Sequence, residues 1–414
     1  MGELTADRAP QRVSTSLAGT GFWYLWVNAV SLALIVSADR FTFIWLVEDT
    51  LGGPTWTSGL VVFALGAPVC LLVLTAGALA DRHDRRRMLL ATQIAGTLVV
   101  SLCAVLVWAG VITIALAVVL AAAFGTVIAF AMPVRSSLVP ALVGQERVMQ
   151  AVVLMTVGSN VAMIVGPLLV GGVIEGVGVG WAFAVQGGFF LVGLVAALRL
   201  RVPPPVAQPH RRRIASEIAD ALRYVWQHPV LRPLFLLLSV GGGLMGGSAF
   251  TLLPRMARDE FGRDAADAAR LFALMGLGMV ITSLLLMRYR SRIRRRGLVF
   301  MCTMVVGTSD QILQGVAPSF LTLELLLLGW GLTGGFYMNL NQALIQELTP
   351  PDRMGRVMAL SAMTSAGLLP LGGLSAALLA SVVGAPGAIS IFGVIGLCCV
   401  LAALWRAGAL RALP

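Results

Sequence analysis

Apolar runs long enough to cross a bilayer recur along almost the whole chain, and no other feature limits its fold so severely. They fall at residues 22–47, 58–80, 88–109, 112–139, 149–174 and 180–200, and again at 230–254, 269–288, 297–317, 319–346, 355–382 and 386–408. A hydrocarbon core about 30 Å thick is crossed by roughly 20 apolar residues in a helix. The runs, each bounded by Gly, Pro or charge, therefore predict an all-α integral membrane protein with twelve transmembrane helices. Only 12% of the 414 residues are charged, against roughly 25% in an average soluble domain. Most of the exterior must face lipid.

The net charge of +11 would, in a soluble chain, raise the question of nucleic acid. Here the distribution explains it, and no nucleic-acid partner is expected. All 30 basic residues are arginine, and 25 of them lie in residues 1–21, 81–87, 135–148, 199–232, 288–296, 353–356 and after 405. The opposite loops hold only Arg255, Arg258, Arg263 and Arg270, interleaved with Asp259, Glu260, Asp264 and Asp267. This asymmetry sets orientation, and it places both termini in the cytoplasm. The start, MGELTADRAPQRVSTS, is polar and carries both charge signs, so the first helix is expected to be its own insertion signal. The five cysteines lie inside apolar runs without metal-ligand spacing, and no metal or cofactor is expected.

The runs divide into two pseudo-symmetric six-helix bundles, 22–202 and 229–408, with a tail at 1–21, a linker at 203–228 and a short tail at 409–414. Pro203 to Pro205 end the sixth helix and stiffen the start of the linker. In IASEIADALRYVWQHP, Ile214, Ile218, Leu222 and Val225 share a helical face apart from Glu217, Asp220 and Arg223, which predicts an amphipathic helix on the cytoplasmic surface. The halves also match in their polar loops. Arg85 to Arg87 are answered by Arg294 to Arg296, and LVGQERVMQAVVLM by LTPPDRMGRVMALS, pairing Glu146-Arg147 with Asp352-Arg353. Such internal repetition marks repeat-built transporters.

The segment GALADRHDRRRML resembles the signature between helices 2 and 3 of the major facilitator superfamily, with Gly77, Asp81, Arg82, Arg85 and Arg86 matching. Asp84 stands where that signature has glycine, as in the macrolide-efflux and enterobactin-exporter branch, which MPVRSSLVPALVGQERVMQA also resembles. The resemblance covers essentially residues 22–408. It implies that Asp81, with Arg82, Arg85 and Arg135 nearby, latches the two halves on the cytoplasmic side in the outward-open state. Gly77 permits close helix approach. In helix 5, Gly158, Gly166, Pro167, Gly171 and Gly172 resemble the glycine-proline signature of antiporters in this superfamily.

Ionisable groups at membrane depth cost roughly 2.5–3.5 kcal/mol each on insertion scales and are expected only where they face a cavity or a partner. Asp39 and Arg40 sit about two thirds of the way toward the outer face of helix 1, and Asp310 at similar depth in helix 9, with Glu324 shallower. Being adjacent, Asp39 and Arg40 point apart and need different partners. Helix 1 lines the central cavity in the family that this chain resembles, so Asp39 is the leading proton-coupling candidate, followed by Asp310. Cavity candidates are Arg40, Phe41, Trp45, Phe63, Phe130, Met132, Asn160, Tyr337 and Asn339. Few charges at depth and apolar or aromatic cavity candidates predict a small lipophilic or amphiphilic cargo exported by a monomer in exchange for protons. A lipid flippase using Arg40 for the headgroup and a non-transporting membrane sensor are the alternatives. Nothing in the sequence assembles a catalytic centre.

Overall fold

The computed structural model describes residues 21–82, 84–144, 147–200, 214–289, 295–350 and 353–413. Pro203 to Pro205, Glu146, Asp352 and Arg294 lie outside the described residues, as do the side chains of Gly77, Asp81, Arg82, Ile214 and Ile218. The first part of the chain forms α1 (Phe22–Trp45), α2 (Trp56–Arg82), α3 (Arg85–Trp108), α4 (Ile114–Val143), α5 (Val148–Val177) and α6 (Val179–Arg199). The linker carries α7 (Ile214–Gln227). After it come α8 (Leu231–Leu238), α9 (Gly247–Phe261), α10 (Ala265–Tyr289), α11 (Arg296–Gln314), α12 (Phe320–Leu348), α13 (Met354–Arg406) and α14 (Gly408–Arg411). π-helical turns at Leu46–Thr50 and Ser239–Gly246 extend α1 and join α8 to α9.

Every predicted apolar run lies in helix apart from a few residues at some of the ends. α13 carries the last two and is broken between them at Gly384, whose φ of 79° a residue with a side chain rarely adopts. Two helices outrun their apolar stretch: α4 continues past Pro133 and Pro140 to Val143, and α9 past Pro254 to Phe261. Near lipid, continuing the helix is the way to keep backbone groups bonded. Among the described residues nine helical stretches are long and apolar enough to cross a membrane, α13 counting once.

Helix starts follow from their caps. Asp84 Oδ1 accepts from the N–H of Arg86 at 2.8 Å and of Arg87 at 3.2 Å, so the residue that departs from the family signature is the N-cap of α3. Thr113 and Ser319 cap α4 and α12 in the same way. His228 Nδ1 accepts from the N–H of Val230 and of Leu231, both at 3.2 Å, and burial holds its pKa below the usual histidine value. The loop repeat also has a backbone counterpart. Arg147, before α5, has φ −107° and ψ 0°, and Arg353, before α13, has φ −112° and ψ −8°.

Packing groups α1 with α5 and α6, α2 with α4, and α3 with α4 and α6; in the second half α10 packs on α12, α11 on α12 and α13, and α9 on α13. The main joints between these groups are α2 against α13 and α5 against α10. Toward the C-terminal end of α1 one apolar core draws on both groups, from Phe43, Phe124 and Phe183 to Leu252, Phe272, Leu327 and Phe392. Toward the end where α1 begins, two separate cores form, one around Phe22, Leu89 and Leu138 and the other around Leu234, Phe300 and Ile345. The molecule is thus fused at one end and divided at the other. α7 lies at the divided end against α8 and α13, with Val225 buried and Leu222, expected on the same face, 51% exposed.

Gly59 marks how closely α2 meets α13. A Cβ there would lie 2.5 Å from Ala377 Cβ and 2.9 Å from Leu374 Cα, whereas one at Gly172 would meet nothing within 4 Å. Gly59→Leu is therefore expected to abolish recovery of monodisperse protein, and Gly172→Leu to leave it unchanged, as size-exclusion chromatography at equal expression would read out.

Candidate functional site

α1 delivers its charged pair to the place where the two helix groups meet. Asp39 is buried, and its Oδ1 accepts the backbone N–H of Arg40 at 2.7 Å. No ion pair reaches this carboxylate among the described residues. The Arg40 guanidinium points elsewhere, over the ring of Phe250 on α9 at 5.1 Å from its centroid. Phe250 stacks on Phe272 of α10, Phe272 meets Phe41 edge-on, and Phe41 stacks on Trp45. Adjacent residues on one helix have diverged as their 100° separation requires: the cation reaches a ring on the other helix group, and the acid makes no direct ion pair among the described residues.

Phe41 and Trp45, 2% and 6% exposed, belong to this fused core. Tyr337 is also engaged, its hydroxyl donating to the Leu238 carbonyl at 3.1 Å and its ring stacking on Phe300. Of the other cavity candidates, Phe63, Phe130 and Asn160 are half-buried and Met132 is exposed. Asn339 is exposed and donates to Gly335 O at 2.8 Å and Ser283 Oγ at 3.2 Å. Asp310 sits apart from Asp39, inside the second group of helices: its Oδ2 lacks a partner and lies 3.7 Å from where a Cβ at Gly329 of α12 would be. One position on, Gln311 Nε2 donates to Ser248 Oγ of α9 at 2.8 Å.

The arginines of the expected gate bind their own half. Arg85 Nη1 donates to the Ser137 carbonyl at 3.2 Å and Arg86 Nη2 to the Leu198 carbonyl at 2.6 Å, near the C-terminal ends of α4 and α6. Cations there complement the negative helix ends. Arg135 is interior: its Nε donates to Asn28 Oδ1 at 2.6 Å, and Asn28 Nδ2 donates to the Gly193 carbonyl at 2.8 Å. Gln93, in its better-bonded amide orientation, accepts from Arg135 Nη2 at 2.8 Å.

Sequence reasoning missed a clamp at the fused end. Glu48, in the π-turn after α1, is buried, accepts from Ser58 Oγ of α2 and lies 3.7 Å from Arg255 Nη1 of α9. Arg255 also pairs with Asp259 at 2.9 Å, and Arg258 lies 4.0 Å from Asp49. The signal was present in Glu48-Asp49 closing the first run and Arg255, Arg258 closing the seventh, but only the fold brings those ends together. Glu324, expected to be structural, pairs with Arg270 at 2.5 Å.

This architecture, long apolar helices in two groups with a buried acid where they meet, is that of a multi-pass membrane transporter. The family model of the Major Facilitator Superfamily matches residues 13–369, and the chain belongs to that family. Among curated relatives, the enterobactin exporter EntS of Citrobacter koseri is 27% identical over 310 residues, covering 74% of this chain and 72% of that protein. EntS of Escherichia coli O1:K1 is 26% identical over 309 residues, with the same coverage. Among solved structures, the nucleoside transporter NupG superposes with a TM-score of 0.72 at 13% identity over 96% of this chain and all of that one. The POT family transporter PepTSo does so at 0.74 and 12% identity, over 94% and 98%. At these identities the two structures speak for the fold alone.

Replacing Arg255 by Gln leaves the buried Glu48 carboxylate without its cation, a kind of change that costs about 3–5 kcal/mol when a buried pair is broken. The fused end should loosen, and impermeant maleimide should label a cysteine introduced at Phe272 several-fold faster than in the unaltered background. Equal labelling rates would show that the clamp does not hold this end closed.

Proposed function

We propose that the protein is a proton-coupled exporter of a lipophilic or amphiphilic small molecule, siderophore-like in kind, in the bacterial inner membrane. The observation that carries this reading is the Asp39 carboxylate, buried where the two helix groups meet and paired with no basic side chain among the described residues. An ionisable group at membrane depth is costly to insert, and such groups mark substrate and proton paths. The enterobactin exporters among the relatives supply the cargo class.

In this reading α8 with α9 make one crossing, α13 makes two, and α2 and α11 complete twelve, six in each of the halves 22–202 and 229–408. The arginine asymmetry puts the divided end in the cytoplasm, so the described conformation is open inward and closed by the Glu48–Arg255 clamp outward. The latch of Gly77, Asp81 and Arg82 then belongs to the opposite state. The lipid-flipping alternative relied on Arg40 as a headgroup charge, and that side chain is engaged with Phe250 in the fused core.

Two measurements test this. Asp39→Asn should abolish uphill, pH-driven export in proteoliposomes while substrate binding and downhill counterflow persist, because neither needs net proton movement. A folded variant that still concentrates substrate would remove Asp39 from coupling and shift the role to Asp310. For orientation, a single cysteine at Arg87, an exposed position at the start of α3, should react with impermeant maleimide in inverted vesicles and not in intact cells. Labelling in intact cells would reverse the topology.

A further inference from the structure

α11 turns a polar face into the interior of the second helix group. Gly307, Asp310, Gln311 and Gln314 fall at i, i+3, i+4 and i+7, which is one side of a helix, and all four are buried. At membrane depth the polar atoms of such a face are expected to be bonded, because an unmet polar group costs more there than in water. Here four side-chain atoms have no hydrogen-bond partner among the described residues: Asp310 Oδ2, Gln311 Oε1, and both Oε1 and Nε2 of Gln314.

α9 and α12 stand opposite this face. Gln311 Nε2 donates to Ser248 Oγ at 2.8 Å, and Ser248 Oγ donates in turn to the Met245 carbonyl at 3.0 Å. The hydroxyl proton is thereby used, so the serine receives from the amide nitrogen and the amide oxygen of Gln311 is the free end. On the α12 side a Cβ at Gly307 would lie 3.1 Å from Thr333 Oγ1, whereas one at Gly329, a turn away, would meet nothing within 4 Å except Asp310 Oδ2, at 3.7 Å. Space is therefore open beside the free carboxylate oxygen. Three of the four free atoms are oxygens, and α11 carries no basic residue after Arg296 at its start. One carboxylate oxygen and two amide oxygens on neighbouring positions are the donor set of a hard cation, and a single acid matches a single positive charge.

We propose that this face of α11 binds a hydrated monovalent alkali cation, sodium, held by Asp310, Gln311 and Gln314 and seated in the space beside Gly329. The ion ties α11 to α9 and α12 and so braces the second helix group. The site is separate from Asp39, which lies where the two helix groups meet, and it stands whether or not Asp39 couples export to protons.

The purified full-length protein in detergent, unfolded by heat in sodium chloride and in choline chloride of equal ionic strength, should have a Tm at least about 2 °C higher in sodium, as expected of an ion that binds only the folded state. Asp310→Asn keeps the shape of the side chain and removes its charge, and it should abolish the difference between the two salts. Gln314→Leu should at least halve that difference, which keeps the test decisive if Asp310→Asn does not fold. Asp39→Asn should retain it, so that failure of this site and failure of the coupling role of Asp39 are read separately. Equal Tm in the two salts, a full difference surviving in Asp310→Asn or in Gln314→Leu, or its loss in Asp39→Asn would each overturn the proposal. A Tm that follows pH and is indifferent to sodium would assign Asp310 to a proton and overturn the cation.

Discussion

Lipid gives helices no hydrophobic reason to associate, so a bundle of this kind depends on how closely their backbones can approach. The contact of α2 with α13 at Gly59, and of α5 with α10 at Gly171, which faces Ala269 and Ala265, are the joints on which the two groups meet. Everything else depends on their narrowness. Small residues at a joint bring backbones together without interlocking side chains, so the groups can be held firmly at one end and stay separate at the other. The fused core, the aromatic bridge of Arg40 on Phe250 and the Glu48–Arg255 clamp all lie on the held side.

Charges at depth are handled in three ways. Glu48 and Arg255 are kept as a pair that crosses between helix groups. Arg135 is held by amides rather than by an acid among the described residues, its Nε donating to Asn28 and its Nη2 to Gln93 inside the first group, with Nη1 left over. Asp39 has neither solution among the described residues: its Oδ1 accepts the backbone N–H of its neighbour, and no ion pair reaches it.

The apolar runs made the helices legible to within a few residues, because a bilayer demands one length and one composition of each. Arg147 and Arg353, paired in the sequence, share a backbone conformation before α5 and α13. Asp84, by contrast, read as a departure from a family signature and proved to be a helix cap, since a cap is defined by local geometry that the pattern alone does not show. Phe41 and Trp45 read as cavity candidates and are buried in the fused core, because which face of α1 meets α9 and α10 depends on helices more than 200 residues away. For the same reason Glu48 and Asp49 looked like the polar end of a run until α9 was beside them.

The connections at the fused end are unusually small. The π-turn and α2 are separated by residues 51–55, α3 and α4 by 109–113, α5 and α6 by Gly178 alone, and α11 and α12 by 315–319, while Gly384 is the whole turn within α13. In this respect the molecule has one bare face and one furnished face. An antibody, a protease or a partner protein finds almost no chain to grip on the bare face.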